Sequence, residues 1–248
     1  MRRLDEKQKK TIKQLIMKGL SINKVSSKLR IPKSVVYYWY KRFFGKKFKE
    51  IRINNELEEE IGEIVGSFAG DGNFYLDKKY RYRIRFSFSG NEIDYAKKIS
   101  KKLKKIYGKP SRIYHYKNVT IVDIYGKKIS EHIKSFLIWD KNKTATVRLI
   151  KHPSFYSLEF IKGFCRGLFD SDGWITKNNL MISCISENLM KDLSESLKMH
   201  DILHLNTKWE QKDSIKPRIG IFLDKKNTLD YMKKIGTSNS KKSAPTGI

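Results

Sequence analysis

The sequence predicts an α+β protein: a small all-α domain, then one unit that occurs twice. Three observations lead there. Three short amphipathic helical patterns open the chain and carry nearly half of its net charge. A glycine-striped segment recurs at a constant offset of 101 residues, and each copy is followed by alternating apolar and polar stretches of strand length.

Composition narrows the partner. The 248 residues suit one to three compact domains. Lys+Arg 53 against Asp+Glu 26 leaves a net charge of +27, a field that attracts polyanions, nucleic acid first among them. With 39% hydrophobic residues, including 13 Tyr, 13 Phe and 4 Trp, the chain can build cores, which excludes wholesale disorder. No run approaches the ~18 apolar residues of a membrane span, and the charged start from Met1 to Glu6 has no apolar stretch behind it, so neither a membrane partner nor a signal peptide is expected. Two cysteines, Cys165 and Cys184, are too few for a disulfide framework and read as core residues. The expected setting is intracellular: cytoplasmic, nucleoid-associated or organellar.

Residues 1–46 form the first domain. Lys+Arg outnumber Asp+Glu by 16 to 3 over residues 1–50. A helix over Glu6–Lys18 presents Ile12, Leu15 and Ile16 on one face and stops at Gly19. A second starts at Ser21, a good N-cap, and buries Ile22, Val25 and Leu29. After Pro32 a third, aromatic and basic, runs from Lys33 to Phe43, with Val36, Tyr40 and Phe43 facing the other two and Trp39 beside them. Lys33, Ser34, Tyr37, Tyr38 and Lys41 then point outward, as they would into a major groove. The segment resembles the helix-turn-helix domains of site-specific recombinases and transposases. That resemblance implies base contacts at Ser34 and Tyr38 and a minor-groove arm at Arg2 and Arg3. An ordinary three-helix bundle is the plainer alternative.

Residues 47–55 are polar and read as a linker, leaving 56–150 and 151–236 as two repeats and 237–248 as a disordered tail. The repeat is direct. Ile61 to Gly72 lies above Lys162 to Gly173 with both glycine pairs, the Phe, the Asp and the final Gly identical. Gly62, Gly66 and Gly70 recur every four residues, as do Gly163, Gly167 and Ser171. Glycine inside a helix costs about 1 kcal/mol against alanine, so such a stripe needs a reason, and backbone contact between the two helices supplies one. The interface glycines are Gly62, Gly66, Gly163 and Gly167. Each helix then ends at Asp-Gly, the Gly expected as a left-handed stop. Packing the stripes together brings Asp71 and Asp172 close at one end, where the helix dipoles disfavour anions. Such an acidic pair calls for a divalent cation with a taste for oxygen, Mg²⁺ or Mn²⁺.

Gly167-Leu168-Phe169-Asp170-Ser171-Asp172-Gly173 resembles the second half of the LAGLIDADG motif, and Gly66 to Gly72 is a looser copy. Two copies at this spacing are similar to the single-chain, two-repeat LAGLIDADG homing endonucleases. The resemblance implies a pseudo-twofold αββαββα duplicate with two antiparallel sheets. The first copy fits it, with alternating stretches Phe74–Asp77 and Tyr80–Ser89, strands Arg112–Tyr116 and Val119–Tyr125, and helices Glu92–Ile106 and Lys127–Leu137. The second copy offers Trp174–Thr176, Leu180–Ile185, Leu203–Trp209 and Arg218–Leu223, with helices Glu187–Leu197 and Lys225–Ile235.

The resemblance further implies metal-dependent hydrolysis of both strands of double-stranded DNA across the minor groove, leaving short 3′ overhangs. Asp71 and Asp172 would be catalytic and hold Mg²⁺ (or Mn²⁺) with the carbonyls of Gly70 and Ser171. The sheets would form a basic saddle on the major groove, for which the candidates are Lys78, Lys79, Arg81, Arg83, Arg85, Arg112 and Lys117, then Lys177, Lys208, Lys212, Lys216 and Arg218. The basic residue that usually completes such a site has no match at Phe88-Ser89 or Cys184-Ile185; Lys208 or Arg218 could substitute. Asp170 reads as a helix-end group, since its counterpart is Ala69. A monomer is expected, because the duplication supplies the twofold internally. The competing readings are a transcription regulator that binds without cutting and an RNA-splicing maturase acting on structured intron RNA. Both aspartates are present, which favours the enzyme.

Overall fold

The computed structural model describes residues 4–45, 51–76, 82–210 and 217–243, and the chain divides into two units, residues 1–50 and 51–248. The first is three helices, α1 (Glu6–Met17), α2 (Ile22–Leu29) and α3 (Lys33–Phe44). Asp5 and Gln8 cap α1 reciprocally, and Lys24 N–H donates to Ser21 Oγ at the start of α2. Arg30, at φ 52°, turns the chain between α2 and α3. Leu4, Ile12, Ile22, Val25, Ile31, Val35 and Val36 are buried together. Lys33, Ser34, Tyr38 and Lys41 are exposed as expected, whereas Tyr37 is half-buried, its ring packed on the edge of the three-helix core. Arg2 and Arg3 lie outside the described residues.

The second unit holds the duplicate. Repeat one is α4 (Glu58–Asp71), β1 (Gly72–Leu76), β2 (Tyr82–Ser89), α5 (Ile93–Tyr107), β3 (Arg112–Tyr116), β4 (Val119–Tyr125) and α6 (Lys127–Lys134). A connection follows, with β5 (Leu137–Ile138), α7 (Lys143–Thr146) and β6 (Arg148–Leu149). Repeat two is α8 (Leu158–Asp172), β7 (Gly173–Ile175), β8 (Leu180–Cys184), α9 (Glu187–Lys198), β9 (Leu205–Trp209), β10 (Arg218–Leu223) and α10 (Lys225–Lys234). Both sheets are antiparallel, in the equivalent orders β1-β2-β4-β3 and β7-β8-β10-β9. One continuous core spans both repeats and includes Cys165 and Cys184. Among the described residues no helix is long and apolar enough to cross a membrane.

Alternation decides which face of each sheet is dry. In β2, Ile84, Phe86 and Phe88 are buried while Arg83, Arg85 and Ser87 face outward. In β10, Ile221 and Leu223 are buried, and Arg218 and Phe222 lie on the opposite face. Phe86 sits across from Gly72, and Ile182 across from Gly173. The offset has dropped from 101 to 96, so the first hairpin of repeat two is five residues shorter.

Two boundaries move. Ile51 and Ile53 pack on the core of the duplicate and Asn54 N–H donates to Ile106 O at 2.9 Å, so the described end of the expected linker belongs to the second unit. The expected disordered tail is ordered from Thr237 to Ser243. Thr237 Oγ1 and Ser238 N–H both donate to the Asp170 carboxylate, Lys98 Nζ donates to Ser238 O at 2.7 Å, and Asn239 Nδ2 donates to Glu92 Oε1 at 2.6 Å. The polar composition that suggested disorder is what these partners need.

Candidate active site

Helices α4 and α8 meet along their glycines at backbone distance. A Cβ on Gly62 or Gly66 would run into the carbonyls of Phe160 or Phe164, and would stand 3.0 and 2.9 Å from the amides of Phe164 and Leu168. A Cβ on Gly163 or Gly167 would strike the carbonyls of Glu59 and Glu63 in the same way. The four predicted interface glycines are therefore the contact itself. The Asp-Gly ends differ from expectation. Gly72 (φ −83°) and Gly173 (φ −90°) are extended rather than left-handed. Their need for glycine is steric: a Cβ would lie 2.5 Å from Phe68 Cα and 2.7 Å from Phe169 O.

This contact brings the two helix ends together. A Cβ added to Gly70 would stand 2.8 Å from Asp172 Oδ2. Burial, and then the charge of Asp172, push the Asp71 carboxyl up to about 7. Asp172 is raised by burial as well, with Lys143, Lys242 and Arg218 pulling the other way. Two neighbouring carboxyls that burial makes reluctant to ionise, with the charge of Asp172 adding to the effect at Asp71, form a place for positive charge.

The cations that answer them are two lysines absent from the sequence candidates. Lys143 Nζ donates to the carbonyls of Phe68 (2.7 Å), Ala69 (2.7 Å) and Gly70 (3.1 Å), capping the end of α4. Lys242 Nζ donates to Phe169 O (3.2 Å) and Ser171 O (3.0 Å), capping α8. Burial lowers both, Lys143 to about 8, while Asp71 and Asp172 oppose the fall. The carbonyls of Gly70 and Ser171, expected to face a metal, here accept from these ammonium groups. Each lysine sits in a short turn beyond its own repeat, Lys143 on α7 and Lys242 in the 3₁₀ turn Ser240–Lys242.

Other residues fix those turns. The β5–β6 pairing brackets α7, and Ser186 Oγ donates to Val147 O at 2.7 Å. The segment bearing Lys242 hangs on Asp170, as above, and on Arg166, whose Nη2 donates to Ile235 O at 2.6 Å. Arg166 also pairs with Glu59 at 2.6 Å and with Glu63, which is fully buried between α4 and α8 and bonded to Lys102. Asp170 is thus an anchor for the tail, which agrees with its reading as a helix-end group.

Among the other basic candidates, Arg83, Arg85 and Arg112 share the open face of the first sheet. Arg85 is engaged there: its Nε and Nη2 donate to Asp123 at 2.8 and 3.0 Å, and Nη2 donates also to Tyr114 Oη. Arg83 lies over the Tyr75 ring, 4.3 Å from its centroid. Lys117 and Lys177 are exposed in the turns β3–β4 and β7–β8. Arg218 lines the pocket of Asp172 and donates to Ser183 at 3.1 Å. Lys208 departs from expectation. It pairs with Ile219 on the helix-facing side of the second sheet, near Glu187 of α9, because its parity along β9 is opposite to that of Thr207 and Trp209. Lys78, Lys79, Arg81, Lys212 and Lys216 lie outside the described residues.

Residues 159–236 match the LAGLIDADG-like domain family. Over 92% of its length the chain is 25% identical to the uncharacterized protein MJ0398 of Methanocaldococcus jannaschii, of which it covers 84%. Over 76% of its length it is 24% identical to a tenth of the replication factor C small subunit of the same organism. The homing endonuclease I-DmoI, solved in complex with DNA and Mn, superposes with a TM-score of 0.57 and 14% identity over 74% of this chain and 99% of that one. I-DmoI has also been solved with DNA and Ca, at a TM-score of 0.54 and 13% identity over 72% of this chain and 90% of that one.

Proposed function

We propose that this chain, which carries a LAGLIDADG-like domain and has the fold of the two-repeat LAGLIDADG homing endonuclease I-DmoI, is itself a site-specific double-stranded DNA endonuclease. The observation that carries the reading is the meeting of Asp71, Asp172, Lys143 and Lys242 at one pair of helix ends. A structural role does not call for two neighbouring carboxyls whose proton affinity is raised by burial; a charged substrate and its cations do.

Two carboxylates with open space beside them, completed by phosphate oxygens and water, suit Mg²⁺ or Mn²⁺. That I-DmoI has been solved with DNA and Mn supports the same choice. Asp71 and Asp172 would hold the ions, and the carbonyls of Gly70 and Ser171 could contribute once the lysines turn toward phosphate. Held there, a divalent cation would supply a lower pKa for an attacking water and charge stabilisation for the leaving oxygen. Lys143 and Lys242 neutralise charge on the phosphoryl oxygens, and Lys143, poised near 8, can also exchange a proton with water at neutral pH. The pseudo-twofold presents one aspartate and one lysine to each strand, giving two cuts from a monomer.

The sheets' open faces would lie on the major groove, and α3, with Lys33, Ser34, Tyr38 and Lys41 exposed, would add contacts as a helix-turn-helix. The match to one-tenth of a replication protein supports a module that travels inside other genes, as an intron or intein endonuclease does.

The test is incubation with a genomic or randomised duplex library in Mg²⁺ and in EDTA, followed by sequencing of new ends. Discrete metal-dependent double-strand breaks, lost in Asp71→Asn and Asp172→Asn, support the reading. Site-selective binding without breaks in Mg²⁺ or Mn²⁺ would establish a regulator instead, and preference for structured RNA over duplex a maturase.

A further inference from the structure

The two sheets are equivalent in topology but opposite in the chemistry of their open faces. One cross-strand row shows it position by position. In the first sheet Asn73 pairs with Arg85, Arg85 with Asp123, and Asp123 with Arg112. The same row of the second sheet, counted from the Asp-Gly end, reads Trp174, Met181, Phe222 and Leu205. A polar, charged row has become wholly apolar. The second row is also open: Trp174 is 47% exposed and Leu205 66%.

Such a row on a chain of net charge +27 needs an occupant. Its place argues for nucleic acid: it stands where the arginine row stands in the other repeat, on the face that carries Arg218 and next to the same pair of helix ends. We propose that this row reads a thymine-rich half-site through the 5-methyl groups of thymine in the major groove, so that the two half-sites of the target differ in base composition. This rests on the endonuclease reading and names its substrate more closely. Thymine is the base that offers an apolar group in the major groove, and apolar side chains favour it. A cytosine amino group or guanine edge pressed on the row would lose water without gaining a partner. The row of the first sheet, with Arg112 exposed beside Tyr114, keeps donors for guanine.

The experiment uses the full chain in EDTA, so that binding is measured without cutting. Bound duplexes are selected from a randomised pool and sequenced. Affinity is then measured for the selected site with the thymines of one half replaced by deoxyuridine, which removes only the methyl groups. A T-rich run in one half is expected, with a loss on the order of threefold for each methyl removed. Leu205→Ala and Trp174→Ala, both at exposed positions, should narrow the ratio of thymine-duplex to deoxyuridine-duplex affinity relative to the parent. Equal binding of thymine and deoxyuridine duplexes overturns the proposal, as does an unchanged preference in both variants. A self-association that Leu205→Ala abolishes would also overturn it, by giving the face to a second copy. Absence of any sequence-selective duplex binding would instead remove the endonuclease reading itself.

Discussion

Replacing Asp71 by Asn should abolish cleavage and at the same time make the metal-free protein more stable. In the folded chain, burial and the neighbouring Asp172 lift the carboxyl from an ordinary 3.8 to about 7. Between those values the folded protein holds a proton that the unfolded chain has released. Stability from this group is therefore complete below pH 3.8 and lost progressively as pH rises to about 7, beyond which the penalty is constant. The whole gap corresponds to about 4 kcal/mol at 1.36 kcal/mol for each tenfold step. The carboxyl keeps some access to solvent at the open helix end, and screening there brings the working figure to ~1–2 kcal/mol. Lys143 and Lys242 attract the ionised form, but the net shift is upward, so removing the charge leaves a gain.

Asparagine has nearly the same shape and does not ionise. At pH 8 in EDTA the variant should melt about 2–8 °C above the parent, by calorimetry or by circular dichroism, since ~1 kcal/mol moves a domain of this size by ~2–4 °C. The difference should shrink toward pH 4, where the parent carboxyl is protonated when folded. Adding Mg²⁺ should raise the melting temperature of the parent and not that of the variant, because only the parent has both carboxylates to bind it. A variant that melts below the parent at pH 8, or a gap that does not vary with pH, would refute the claim that Asp71 is held against its own stability for a charged ligand.

Four further outcomes follow from the same geometry. Lys143→Met and Lys242→Met should each lower cleavage by about 10²–10³ while leaving duplex affinity near the parent's, and nicked intermediates should accumulate on gels. Gly66→Ala and Gly167→Ala put a methyl into a facing carbonyl; each should cost about 1–3 kcal/mol in urea unfolding and lose cleavage, since the helix ends must part. Asp170→Asn weakens the hold on Thr237 and Ser238, so trypsin should cut sooner between Lys234 and Lys242, and cleavage of DNA should fall as it does for Lys242→Met. Tyr38→Ala with Lys41→Ala should reduce duplex affinity and lessen its salt slope, by ~1 for the lost lysine contact; unchanged binding would take α3 out of the DNA interface.

Much of this was legible in the chain itself. Runs rich in β-branched and aromatic residues mark Arg112–Tyr116, Val119–Tyr125 and Arg218–Leu223, which form strands with those bounds. The repeat of Gly and Asp placed the helix pair and both carboxylates. The lysines were not legible, for a physical reason. They stand 72 residues beyond Asp71 and 70 beyond Asp172, in short turns whose position is set by distant tethers such as Ser186 to Val147 and Asp170 to Thr237. In a chain with 53 basic residues, nothing local distinguishes those two. Lys208 misled for a related reason. Strand composition gave it a basic character, but only its register opposite Ile219 assigns it to the helix side.

The comparison of the two repeats also separates what the chemistry demands from what recognition allows. Cutting either strand of a duplex requires the same operation on the same phosphodiester, and at the helix pair the two copies are correspondingly alike: Gly62 and Gly66 against Gly163 and Gly167, Asp71 against Asp172, Lys143 against Lys242. Reading bases carries no such demand once both halves lie in one chain. A dimer of identical subunits must present one face twice and is bound to a palindrome. Here Arg85, with Asp123 and Arg112 beside it, stands where Met181, Phe222 and Leu205 stand in the other sheet. Exchanging one row for the other by mutation should therefore move base preference between half-sites while leaving the scissile spacing unchanged, because that spacing is set by the glycine contact of α4 with α8 and not by the sheets.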